Sequence, residues 1–458
     1  MSKILLVQPW AYSKFPGMPM GLVSVGSALE EAGHEVNAID LAATPKTDRD
    51  LEEIVSNGFN IVMVGGTSPS HPEALDIAKL VKRTNPEIAV VKGGPHEDAH
   101  IKYAEQTATH PEIDVVVRGD GEAIASLVET NKWNDLIKEG RIDYRKKILD
   151  LKLPMSDSTT LADVPMPNRQ LLYSQNPGYY NFLVDENGKP LPTFQTRSFR
   201  GCTFRCTYCS QAVAYRQHSL AWIDNDLGRM KDRGFKAFYW DDALFTMNPN
   251  GMLEKKLGLL ENNYNGDFTM GCITRAGVNT SEENFRRMYN VGFKLVWLSL
   301  ESGDESILQE MHRDKTGPDV VTEAVKNAKK AGLQTYVNII VGSPRESDVT
   351  IQHTIDAIKR IMPDGVSTSV YTVYPGSPIS LKGELPCPMD RYDKPMNRDA
   401  RLMQFDEGYG GNIIVDPSQA VEWYSRIGKA IAQDGIVMLG FRECKTAKHL
   451  LETAKKAR

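Results

Sequence analysis

The sequence predicts an α/β chain: a doubly wound, Rossmann-like parallel sheet, then a partial (β/α)6 TIM barrel, then a small, mostly helical cap. Three observations predict it. Short apolar runs alternate with helical patterns from residue 1 to about 145, and again from about 191 to 385, as in parallel sheets covered by helices. Glycines cluster directly after these runs, at the carboxyl edge where such sheets bind ligands. Between the two series, residues 146–190 break the alternation and read as a linker.

At 458 residues the chain exceeds one small core, and several domains are expected. A net charge of −5 gives no electrostatic case for nucleic acid. No apolar run reaches membrane-spanning length, so no membrane partner is expected. The start, Met1 to Pro9, reads as a strand rather than a signal peptide. Six cysteines in so long a chain argue against a disulfide framework and for a reducing cytoplasm.

In the first domain, Lys3 to Gln8 is a continuous apolar run and a buried strand. A Gly/Pro-rich loop, Pro16 to Pro19, leads to a helix over Gly21 to Ala32, with Leu22, Val25 and Leu29 at helical spacing and Gly33 as its stop. Further strands fall at Glu35 to Asp40, Ile61 to Val64, Ile88 to Val91 and Val115 to Val117, with a helix at Pro72 to Lys82. The last three strands run into Gly65-Gly66-Thr67-Ser68, Gly93-Gly94-Pro95-His96 and Gly119-Asp120-Gly121-Glu122. Glycine there admits close backbone approach to a large ligand, or simply makes tight βα turns. No Gly-x-Gly-x-x-Gly follows the first strand, so the pattern is not a nicotinamide fingerprint.

The linker carries a Pro-rich extended segment, Leu161 to Arg169, a loop at Asn176 to Tyr180 and a hairpin turn at Asp185 to Gly188. Tyr179, Tyr180 and Phe182 read as packing residues. The second domain offers six strands, Thr193 to Ser198, Lys236 to Trp240, Thr269 to Ile273, Lys294 to Leu300, Gln334 to Val341 and Gly365 to Tyr374. Helices are expected at Ala221 to Arg233, Ser281 to Val291 (capped by Ser281), Val320 to Lys330 and Thr350 to Ile361. Chemistry in such a barrel sits at the strand carboxyl ends. In the cap, residues 386–458, Asp390 to Phe405 is polar, Tyr409-Gly410-Gly411 is a break, and helices span Ala420 to Ala432 and Thr446 to Ala457. Trp423 and Tyr424 read as its packing.

The chemistry centres on Arg200-Gly201-Cys202-Thr203-Phe204-Arg205-Cys206-Thr207-Tyr208-Cys209-Ser210, which holds three of the six cysteines. Three thiolates in one short loop suit a cubane iron–sulfur cluster with one iron left for a non-protein ligand. Zinc usually needs four ligands in two short pairs, and no second pair follows. His218 lies nearby and reads as an exposed residue of a polar stretch. Cys272, Cys387 and Cys444 are far apart, so one cluster is expected.

This Cx3CxxC loop, with an aromatic before its last cysteine, resembles that of the radical S-adenosylmethionine (SAM) enzymes. The resemblance implies a [4Fe–4S] cluster on Cys202, Cys206 and Cys209, with SAM chelating the fourth iron. One electron then cleaves SAM to a 5′-deoxyadenosyl radical that takes a hydrogen atom from substrate. It also implies SAM-binding roles for Tyr208 (adenine), Asp241 and Asp242 (amino group), Glu301-Ser302-Gly303 (ribose and methionine end), Arg313 (carboxylate) and Gly342, with Pro344, near the adenine. In the first domain, Gly21-Leu22, Gly33-His34-Glu35-Val36, Asp40, Gly93-Gly94-Pro95-His96 and Arg118-Gly119-Asp120-Gly121-Glu122 resemble, in that order, the cobalamin-binding domain preceding many radical SAM cores. Thr67, Ser68, Gly93, Gly94, Gly119, Gly121 and Glu122 would then face cobalamin. The Asp-x-His-x-x-Gly motif of other cobalamin proteins is absent; His34 belongs to a helix-ending turn and His96 to a turn without a ligand role.

The resemblance implies an enzyme with a small-molecule substrate and a reductant such as flavodoxin or ferredoxin. The leading expectation is cobalamin-dependent methylation of an unactivated carbon. The alternatives are a lyase or oxidoreductase with an empty first domain, acting by dehydration or dehydrogenation of a sugar-like natural product, and a non-catalytic iron–sulfur protein.

Overall fold

A computed structural model describes residues 1–10, 17–128, 132–162, 164–173, 183–185, 187–211, 214–313, 315–382 and 417–439. Residues 1–173 belong to one compact unit, and residues 183–382 and 417–439 to another. The expectations for Asn176 to Tyr180, Phe182, Cys387, Cys444, Asp390 to Phe405, Tyr409 to Gly411 and Thr446 to Ala457 lie outside the described residues.

The first unit is built on a six-stranded, all-parallel sheet: β1 (Lys3–Gln8), β2 (Glu35–Asp40), β3 (Ile61–Val64), β4 (Ala89–Gly93), β5 (Val115–Gly119) and β6 (Ile148–Leu151), in the order β2-β1-β3-β4-β5-β6. Ile4, Leu5, Leu6 and Val7 are all buried, which is why an unbroken apolar run makes the inner strand. The chain steps from β1 to β2 on one side and then to β3 on the other. The β1/β3 boundary is therefore a topological switch point, the place where open α/β sheets bind ligands.

The sequence assigns β6 to the linker. Its residues Ile-Leu-Asp-Leu are only half buried at the sheet edge, and a short edge strand carries no clear periodic pattern. The segment beyond stays with this unit: Asn168 donates from its N–H to Ser27 Oγ (2.7 Å) and from Nδ2 to Glu30 (2.8 Å), both on the helix Met20–Glu31. The helix Asp48–Val55 escapes the apolar spacing because only Leu51 and Val55 are buried; a Thr47–Asp50 capping box starts it instead.

The second unit opens with a hairpin closed by Leu191 N–H to the Leu183 carbonyl. It then forms β7 (Thr193–Thr196), β8 (Phe199–Arg200), β9 (Arg216–Gln217), β10 (Ala237–Trp240), β11 (Thr269–Thr274), β12 (Phe293–Glu301), β13 (Gln334–Val341), β14 (Gly365–Val370) and β15 (Val437–Leu439). The main sheet runs β7-β10-β11-β12-β13-β14-β15, every pair parallel. This is the expected partial barrel of six strands with a seventh added. The described part of the cap, the helix Pro417–Ala432 and β15, continues the barrel's own repeat. Trp423 is buried there and donates from Nε1 to Asp348 at 2.7 Å, a packing role as expected. Ser281 caps its helix by accepting from the Asn284 N–H. Along β13, residues alternate between buried and half-buried, so one face meets the helices and the other the barrel interior.

Candidate active site

A buried lock aims the chain into the cysteine loop. Asp242, two residues past β10, accepts from the Ser198 N–H (2.6 Å), the Ser198 hydroxyl (2.5 Å) and the Phe199 N–H (3.1 Å). Lys256 Nζ donates to Ser198 Oγ and the Phe245 carbonyl, both at 2.9 Å, and stands 3.5 Å from Asp242. Neither charge reaches solvent. Burial pulls the Lys256 ammonium below its ordinary range while Asp242 opposes that pull. The resemblance gives Asp242 to the SAM amino group; the structure commits both its oxygens to this lock. Asp241 is half-buried and bonded to Arg197 Nη2 at 2.8 Å, and burial holds its carboxyl above the usual range.

From Arg200 to Arg216 the loop is tied at its neck by β8 and β9, an antiparallel pair of two rungs, Phe199 with Gln217 and Arg200 with Arg216. Here the expected exposure of His218 is corrected. His218 is buried, its N–H donates to the Ser198 carbonyl (2.9 Å), and its ring stacks on Trp222 at 3.9 Å. Burial, with Arg200, Arg197 and Arg216 around it, keeps that imidazole neutral.

At its far end the loop is fixed by backbone. Thr207 donates to the carbonyls of Met311 (N–H, 3.2 Å) and Glu310 (Oγ1, 3.0 Å), and accepts from the Ile379 N–H (3.1 Å). Cys202, Cys206 and Cys209 carry free thiols, Cys206 buried and the others half-buried. Burial, then the charge of neighbouring Cys206, pushes the Cys202 and Cys209 thiols up. Three free thiols on one short loop fit a cluster with several irons that leaves one iron for another ligand. Cys272 is buried inside β11, in the neighbourhood of Lys256 and Asp242.

Side chains at the strand ends surround the loop. Tyr208 Oη donates to Glu301 Oε1 (2.8 Å), and Arg313 Nη2 lies 3.7 Å from the same oxygen. Arg313 also reaches Cys206 Sγ (3.9 Å, Nη1) and the Ser299 carbonyl (2.9 Å, Nη2). Ser302 and Gly303 are tied to the helix Asp348–Ile361: the Gly303 N–H donates to Thr354 Oγ1 at 2.9 Å, and a Cβ at Gly303 would lie 2.4 Å from the His353 carbonyl. The Gly342 and Ser343 N–H groups both donate to Glu346 Oε2. Burial lifts the Glu346 carboxyl to about 7.

Lys256, Glu346 and Arg275 join the site only through the fold. Arg275 follows β11 directly, is buried, lies over the Phe204 ring at 4.2 Å and donates from Nε to Thr316 Oγ1 at 2.6 Å. Its place just past a barrel strand is the signal that could have found it.

In the first unit, the predicted residues gather at the carboxyl ends of β3, β4 and β5. Thr67 is exposed and its N–H donates to Ser70 Oγ; Ser68 is buried, with Oγ 3.0 Å from His96 Nδ1. Gly94 has φ +119, and a Cβ there would lie 2.7 Å from the Gly66 carbonyl; at Gly119 (φ +87) it would lie 2.2 Å from the Leu151 carbonyl. These glycines are required by loop packing against loop. Gly119 N–H donates to Asp98 (2.6 Å), whose carboxyl burial raises to about 6. Gly121 packs under Val25 and Glu122 is buried.

Behind the rim, Lys92 Nζ donates to Glu97 at 2.9 Å, and His71 lies 3.5 Å from Glu97 and stacks on His96 at 4.0 Å. Burial brings His96 down to about 3, so it is neutral. His34 Nδ1 accepts from the Ser2 N–H, inside the helix-ending turn. Neither His34 nor His96 is presented to the rim. What the rim offers is a hydroxyl (Thr67) and backbone at Gly65, Gly93 and Gly94, which fits a large amide-rimmed corrin whose metal takes no histidine from these loops.

An all-parallel doubly wound unit together with a partial barrel carrying a three-thiol loop at its strand ends defines a cofactor-dependent α/β enzyme class. Family models place it further: the radical SAM superfamily matches residues 196–358 and the B12-binding domain residues 10–128. An anaerobic magnesium-protoporphyrin IX monomethyl ester cyclase of Synechocystis sp. is 30% identical over 75% of this chain and 68% of its own length. An uncharacterized methyltransferase of Pyrococcus horikoshii is 28% identical over 82% of both chains. Among solved structures, the radical SAM methyltransferase TsrM of Kitasatospora setae, with cobalamin and a [4Fe–4S] cluster bound, superposes with TM-score 0.61 at 18% identity, over 83% of this chain and 74% of that one. The chain belongs to the radical SAM superfamily, in the group that carries a B12-binding domain. Its cofactors are a [4Fe–4S] cluster, SAM and cobalamin. Among the described residues no helix is long and apolar enough to cross a membrane.

Proposed function

We propose that this protein is a cobalamin-dependent radical SAM methyltransferase acting on an unactivated carbon of a small molecule. The observation that carries the reading is one chain holding both the three-thiol loop and a B12-binding domain whose rim supplies no histidine. Bound together, the cluster and SAM supply a one-electron route to a hydrogen-abstracting 5′-deoxyadenosyl radical, and cobalamin supplies a methyl carrier.

The chain's own residues divide the work. Cys202, Cys206 and Cys209 hold the cluster. Tyr208, Asp241, Glu301, Ser302, Gly303 and Gly342 line the SAM side of the barrel mouth, while Asp242 acts one step back, holding Ser198 and Phe199 in place. Thr67, Gly93, Gly94, Gly119 and Gly121 form the cobalamin side of the first unit, with Ser68 and Glu122 buried behind them. The electron comes from a cytoplasmic reductant such as flavodoxin or ferredoxin.

A second reading, oxidation or cyclisation without methyl transfer, is favoured by the relative named as a cyclase. One experiment separates them. The anaerobically purified protein, its cluster rebuilt, is mixed with hydroxocobalamin, desalted and scored for corrin absorbance per chain. Retention near one per chain, with SAM-derived methyl label appearing on the corrin, supports methyl transfer. SAM cleavage without corrin retention overturns it in favour of the second reading.

A further inference from the structure

A ring of polar contacts closes on the cysteine turn. Tyr208 and Cys206 stand two residues apart on that turn. Tyr208 Oη donates to Glu301 Oε1 at 2.8 Å. The same oxygen lies 3.7 Å from Arg313 Nη2. Arg313 Nη1 then returns to Cys206 Sγ at 3.9 Å, within reach of an N–H···S contact.

The ring is built to stay put. Arg313 and Glu301 are 4% and 6% exposed. Arg313 is anchored through the Ser299 carbonyl (2.9 Å) and through its own N–H to the Leu308 carbonyl (2.7 Å). Glu301 has φ +68, uncommon for a residue with a side chain, where β12 slips register against β13 between Ser299 and Glu301. Burial works against the guanidinium's charge, and Glu301, Tyr208 and Cys206 outweigh it.

We propose that Arg313 tunes the cluster, its N–H···S contact and positive charge at Cys206 holding the one-electron reduction potential up, with Glu301 limiting that effect by sharing the guanidinium. Reduction adds one electron, and so one negative charge, to the cluster and its thiolates. A donor and a cation at a ligand sulfur stabilise the reduced form more than the oxidised one. Burial keeps the effect from being screened away. Arg313 is a positioning and tuning residue here, one step behind the ligand Cys206. The inference depends on the cluster alone and holds for either reaction outcome.

The test is an EPR-monitored redox titration of the rebuilt cluster without SAM, in the wild-type chain and in the Arg313→Gln and Glu301→Gln variants. For Arg313→Gln the reduced-to-oxidised ratio at a fixed potential is expected to fall at least tenfold, a 59 mV lower midpoint for a one-electron couple. Glu301→Gln, which removes the competing carboxylate, is expected to move the ratio upward. A role confined to gripping the SAM carboxylate leaves the SAM-free potential where it is. An Arg313→Gln ratio within twofold of wild type overturns the proposal whatever Glu301→Gln does. If Arg313→Gln assembles no cluster, Glu301→Gln decides: an upward shift supports the proposal, and no shift or a downward one overturns it.

Discussion

The two parallel sheets bury an ammonium–carboxylate pair in the same kind of place and use it differently. Lys92 with Glu97 stands behind the rim of the first sheet, and Lys256 with Asp242 behind the cysteine loop of the second; all four side chains are fully buried. The first pair is surrounded by His71, a neutral His96 and Thr107, and ends in a rim of glycine and hydroxyl groups. The second holds the backbone of Ser198 and Phe199, three residues from the first cysteine, with Arg275 and Arg313 around the loop. A rim that meets an uncharged macrocycle needs shape, whereas a loop that meets a charged cluster needs fixed charge.

The largest expected effect breaks the second edge alone. Cys206→Ala removes SAM cleavage and most bound iron, while Cys272→Ala keeps the iron per chain at the wild-type value. Iron assay and 5′-deoxyadenosine yield check both.

The next prediction separates stability from function. Removing one partner of a buried pair leaves an uncompensated charge and costs about 3–5 kcal/mol. Lys92→Met and Lys256→Met should therefore destabilise by similar amounts in denaturant titrations. Iron retention should fall only for Lys256→Met. An equal loss of iron in both variants would remove the distinction drawn between the two edges.

A smaller effect tests the packing account of the rim. Gly94→Ala places a Cβ 2.7 Å from the Gly66 carbonyl at φ +119 and should cost about 1–3 kcal/mol. If Gly94 served only ligand approach, the variant would lose corrin binding with its melting temperature unchanged.

The smallest concerns pH. Glu346 has its carboxyl raised to about 7 in the fold, above the ordinary value of 4.5. Between those values the folded state binds more protons than the unfolded one, so this group's contribution falls as pH rises from about 4.5 to about 7 and is flat above. Glu346→Gln should flatten that part of the melting-temperature profile between pH 5 and pH 8. A profile identical to wild type would place Glu346 outside the titrating set.

Most strands were legible because a buried parallel strand is an unbroken apolar run, as in Ile4 to Val7 or Val115 to Val117. β15 was not, because three residues at a sheet edge form too short a pattern. The cysteine loop was legible because its spacing is itself the chemistry. Lys256 and Arg275 were not, because a cation in a helix or after a strand looks like solvent-facing charge until its partners, Asp242 and Phe204, arrive from elsewhere in the chain. His218 misled for the converse reason: its polar neighbours in sequence are not its neighbours in space, where Trp222 covers it. The spacing likewise could not distinguish glycines that admit a ligand from glycines that admit another loop.

The two-rung neck formed by β8 and β9 bears on how iron is acquired. Bringing together the ends of a free loop costs conformational entropy that grows with the logarithm of its length. Here the ends are already joined by protein contacts, and Thr207 is held from the far side. Metal delivery therefore acts on a folded recipient, and the iron-free chain should accept its cluster without first having to unfold.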